Sequence, residues 1–87
     1  MALQLITSDQ ANDCTIEKCS AVYEGGDFLE WHFLIKDTDG FTYPVVISKG
    51  TADMDANAAT LKSAIHAALV SMMKQVNVAT VVGDTVG

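Results

Sequence analysis

The sequence predicts an α+β fold: a small, mainly antiparallel β-sheet of three to five strands in a β-meander, with one long amphipathic α-helix packed on one face. Three observations predict it. Apolar residues alternate at period two between Thr15 and Ser48, glycine-bearing turns divide that stretch, and a 3.6-residue period takes over from Asp55 to Val76. The chain, 1–87, reads as a single domain with its core at 15–76. Segments 1–13 and 77–87 flank that core as possible strand-forming or assembly arms.

Taken in order, Met1 to Thr7 alternates loosely and reads as a short strand, and Ser8 to Asp13 is rich in turn formers and reads as a loop. Thr15 to Glu24 puts Cys19, Ala21 and Tyr23 on one strand face, while Ile16 and Val22 disturb the alternation. Glu24-Gly25-Gly26-Asp27 is a hairpin turn, because two glycines tolerate the positive φ of a primed turn. Phe28 to Lys36 is the strongest strand, with Leu29, Trp31, Phe33 and Ile35 on one face and Glu30, His32 and Lys36 on the other. Asp37-Thr38-Asp39-Gly40 turns the chain again. Phe41, Tyr43, Val45 and Ile47 then share a face, and Pro44, lacking an N–H, places this strand at an edge or beside a bulge.

Asp53 or Asp55 is the expected cap of the helix. Its apolar stripe is Leu61, Ala64, Ile65, Ala68, Leu69, Met72 and Val76, with Lys74 in the last turn. Val78 to Gly83 is apolar, β-branched and uncharged, and reads as a strand for this sheet or a neighbour's.

Composition excludes several functions. The net charge is −6, and the basic residues are five lysines with no arginine, too few for a phosphate-neutralising footprint. Direct nucleic-acid binding and adsorption to an anionic membrane are therefore not expected. No apolar run reaches the roughly 20 residues of a membrane span, and Met1 to Ile6 lacks the basic start of a signal peptide, which points to cytoplasmic synthesis. A chain this short buries only about 60–65% of its unfolded surface, so oligomerisation is a natural source of added stability.

No constellation of residues demands chemistry. Cys14 and Cys19 lie about 16 Å apart on an extended strand, beyond disulfide reach, and read as two free thiols. His32 and His66 have neither metal-ligand spacing nor a nucleophile motif around them. The twelfth position of a calcium loop begun at Asp37 is Ser48, not glutamate, so turn chemistry accounts for these aspartates. No catalytic residue, cofactor or metal is expected.

The expected function is that of a non-enzymatic structural or assembly protein, a subunit that oligomerises or decorates a larger particle, with a phage virion as one setting. Its protein partners would be other copies or a larger assembly, met through the apolar arms at Leu3, Leu5, Ile6, Val78, Val81 and Val82. The alternative is a small acidic module that docks Glu24, Asp27, Asp37 and Asp39 on a basic protein surface.

Overall fold

The computed structural model describes residues 4–74 and Thr85. Five elements follow in chain order: α1 (Ser8–Asn12), β1 (Thr15–Glu24), β2 (Asp27–Lys36), β3 (Thr42–Ser48) and α2 (Ala58–Leu69). The strands form one antiparallel sheet in the order β1-β2-β3. The fold is therefore α+β with a three-stranded meander.

Both turns take the geometry their residues favour. Gly25 and Gly26 have φ of 60° and 86°, positive at both central positions as a type I′ turn requires. Gly40, at φ 92°, closes the second turn. There the Asp37 carboxylate accepts the Asp39 and Phe41 N–H groups, each at 2.9 Å, and the Tyr43 hydroxyl donates to it at 2.8 Å.

The sheet's inner face is built from cross-strand rows. Ile16, Ile35 and Tyr43 make one row; Cys19, Phe33 and Val45 a second; Ala21, Trp31 and Ile47 a third. Tyr43, Val45 and Ile47 of β3 are buried, as their period-two spacing predicts. On β2 the expected row Leu29–Trp31–Phe33–Ile35 needs one correction: Phe28 is buried, and Leu29 is 41% exposed. The register explains it. Val22 pairs with Glu30 but Tyr23 pairs with Phe28, so Leu29 is the extra residue of a bulge. An unpaired residue reverses the alternation beyond it. A second bulge, at Glu17 of β1, restores Ile16 to the inner face opposite Ile35.

The predicted long helix is the main departure. α2 has 12 residues and runs from Ala58 to Leu69 rather than from Asp55 to Val76. It starts late because Asn57, not Asp53 or Asp55, is the cap, its side chain accepting the Thr60 N–H at 2.8 Å. It stops early because the chain turns back to meet the N-terminal segment. Ile6 N–H donates to the Met72 carbonyl at 2.9 Å, and Lys74 N–H donates to the Gln4 carbonyl at 2.8 Å. Met72 thus packs against the core at helical spacing without being helical. The expected first strand is a single bridge, Leu5 to Met73. The expected loop at 8–13 contains α1, whose capping box joins Thr7 and Gln10 reciprocally.

Ile65 and Leu69 of α2 meet Phe33, Ile35, Tyr43, Val45 and Ile47 of the sheet, with Ile6, Ala11 and Ala52 completing the core. The loop between β3 and α2 is pinned by Trp31, whose indole N–H reaches the Ala52 and Asp53 carbonyls at 3.2 Å each. Four rings run along this side of the sheet: Tyr23 to Phe28 at 5.8 Å, Phe28 to Trp31 at 5.3 Å, and Trp31 to Phe33 at 6.3 Å between centroids.

The bulge makes a specific claim about adjacent residues. Phe28→Ala should cost about 3 kcal/mol in urea unfolding, whereas Leu29→Ala should cost less than about 1 kcal/mol. The reverse order would mean that alternation continues through position 29 without a bulge.

Candidate functional site

The side of the sheet at β1 stands apart from the rest. Cys19, Ala21 and Tyr23 lie on the inner face, as their spacing predicts, opposite Phe33, Trp31 and Phe28. Yet they are exposed, as is Ile16; Tyr23 is 53% exposed and Ile16 41%. The cause is the placement of α2. Its buried residues meet the rows of β2 and β3, and Cys19 and Ala21 at the β1 end of their rows stay exposed. Cys19 and Ala21 are also small, and Trp31 opposite Ala21 is only partly buried, whereas Phe33 opposite Cys19 is buried.

Among the described residues β1 is also an open edge. Among the described residues its only strand partner is β2, so its other side presents unpaired backbone groups along a ten-residue strand without proline. Such an edge is a template for another strand. At its hairpin end the Tyr23 hydroxyl donates to the Met54 sulfur at 3.4 Å. At its other end a groove of about 430 Å³ opens between β1, α1 and α2. Ile16, Ile35, Ile65 and Leu69 line its apolar part, and Lys62 and His66 are polar members of the lining.

Three groups of titratable residues have defined partners. His32 Nε2 lies 2.8 Å from a Glu30 carboxylate oxygen on the outer face. Lys74 pairs with Asp39 at 3.3 Å, across from its expected place in a helical turn. Burial pushes the Cys14 thiol up, with help from the negative charges of Asp37 and Asp13. Its S–H donates to the Gln10 carbonyl at 3.2 Å. Both cysteines are free thiols.

Sequence reasoning did not anticipate one pairing, Ser8 with His66. The His66 Nε2 atom is 3.1 Å from Ser8 Oγ and 3.3 Å from the Ser8 carbonyl oxygen. An Nε2–H can donate to either Ser8 oxygen, and the Ser8 hydroxyl can donate to a bare Nε2, so the roles follow the tautomer. The pair is a latch between α1 and α2, and a capping-box reading of Thr7-x-x-Gln10 is the signal that would have placed Ser8 on a helix at all.

Of the residues expected in the apolar arms, Leu5 is 54% exposed and Ile6 belongs to the core at 4%. Leu3, Val78, Val81 and Val82 lie outside the described residues. Among the described residues, no three His, Cys, Asp or Glu side chains converge on a point, and no helix is long and apolar enough to cross a membrane. The chain matches no protein-family model, no curated protein and no solved structure.

The Cys14 environment has a measurable consequence. A raised thiol pKa keeps the neutral form to higher pH, and the thiolate is the reactive species. At pH 8, iodoacetamide should label Cys14 more slowly in the folded protein than in urea, read by mass spectrometry, with the difference narrowing as pH rises. Equal rates in both states would contradict the placement.

Proposed function

We propose that this chain is a non-enzymatic structural subunit that oligomerises or decorates a larger particle, a virion being one such setting. The observation that carries the reading is the β1 side of the sheet, which no other strand among the described residues covers. It combines an open edge with an apolar face, where Ile16 and Tyr23 stand exposed beside the aromatic row. Monomeric proteins commonly blunt such edges or cover them. Here α2 is spent on the other strands, and a small core gains most from burial against a partner.

The acidic-module alternative has less support. Asp37 uses both carboxylate oxygens inside its own turn, and Asp39 pairs with Lys74. That leaves Glu24 and Asp27 of the original quartet, a thin basis for capturing a basic surface.

Light scattering on the eluting size-exclusion peak tests the proposal. The full chain should run as a multiple of its 9.3 kDa mass, and the multiple should fall on dilution. A monomer at every accessible concentration would refute the self-assembling form of this function.

A further inference from the structure

We propose that the partner at β1 is β1 of a second copy, paired antiparallel about a two-fold axis at Ala21, so that two three-stranded sheets become one of six strands. The inference rests on the assembly reading and names its partner.

Register constrains how two copies can join. If two sheets join with their inner faces on one side, opposed residues must share a face. Between identical antiparallel strands this forces the axis through a residue rather than between two residues. From Lys18 to Glu24 the alternation is unbroken, because the Glu17 bulge lies outside that window. Cys19, Ala21 and Tyr23 face inward there, and Lys18, Ser20, Val22 and Glu24 face outward.

The axis can sit on any residue from Cys19 to Tyr23, and charge separates these registers. Centred on Cys19, Lys18 opposes Ser20; centred on Ser20, it opposes Val22; centred on Val22 or Tyr23, it opposes a residue beyond the window. Centred on Ala21, Lys18 of each copy stands opposite Glu24 of the other. Both are exposed, and neither belongs to an ion pair among the described residues. The interface is then self-complementary in charge, with one attractive pair at each end and no like charges opposed.

The same register fills the uncovered face. Tyr23 of one copy lies opposite Cys19 of the other, and Ala21 faces itself. A large ring therefore meets a small side chain at the exposed β1 end of the row that holds Phe33. Centred on Cys19 or Ser20, Tyr23 falls opposite Thr15 or Glu17, outside the evenly alternating window; centred on Val22 it meets Ala21, but Glu24 then opposes Ser20 instead of Lys18.

Site-directed crosslinking tests this. Residues opposed in an antiparallel pair have Cα atoms about 4.5–5.5 Å apart, within disulfide reach. In a Cys14→Ser, Cys19→Ser background, Ala21→Cys should give a covalent dimer with oxidised glutathione, and Ser20→Cys should not. By light scattering, Lys18→Glu or Glu24→Lys alone should weaken dimerisation about tenfold, and the double exchange should restore it to within about threefold. These exposed positions read the same contact should Ala21→Cys fold poorly. An oligomer that crosslinks through Ser20→Cys, ignores the charge series, or is lost on deleting residues 77–87 with the fold retained overturns β1–β1 pairing but leaves the assembly reading standing. A wild-type monomer removes both.

Discussion

The structure depends on how much sheet one helix can cover. A helix with its side chains is about 10–12 Å across, and strands lie about 4.8 Å apart, so a single helix shields little more than two strands. Here α2 spends its buried residues, Ile65 and Leu69, over β2 and β3. The β1 end of every inner row is left over. The remaining devices adapt to that limit. The Leu29 bulge turns Phe28 inward at the hairpin, Trp31 pins the loop at Ala52 and Asp53, and α1 closes the opposite end against α2 through Ser8 and His66. Cys19 and Ala21 stay exposed all the same.

The elements that were legible in the sequence are those decided by local chemistry. Two glycines at positive φ, an aspartate able to accept its own turn's N–H groups, and clean alternation on β3 leave the chain little choice. The illegible parts were decided by contacts distant in sequence. Met72 keeps the helical period, yet the chain has already left the helix to bond the N-terminal segment, so periodicity alone overextended α2. The bulge at Leu29 is invisible to a period-two count, because both Phe28 and Leu29 are apolar and either could face inward. α1 was hidden differently: its capping box was present in the sequence, among residues that also form turns.

The candidate site was legible in half. Alternation correctly put Cys19, Ala21 and Tyr23 on one face. It could not say whether anything lay over that face, since coverage is a property of where the helix docks and not of the strand. For the same reason the two apolar residues at the N-terminal arm part company. Ile6 is drawn into this chain's own core, while Leu5 beside it remains open.

The account's central claim is that the outer edge of β1 is open in a single chain and covered in the assembly. Amide hydrogen exchange followed residue by residue, in dilute and in concentrated protein, measures this directly. In dilute protein, protection along Lys18 to Glu24 should alternate, with amides that bond β2 slow and those facing outward fast. Concentrating the protein should slow the outward set while leaving β2 unchanged. An alternating pattern that is indifferent to concentration would contradict the account.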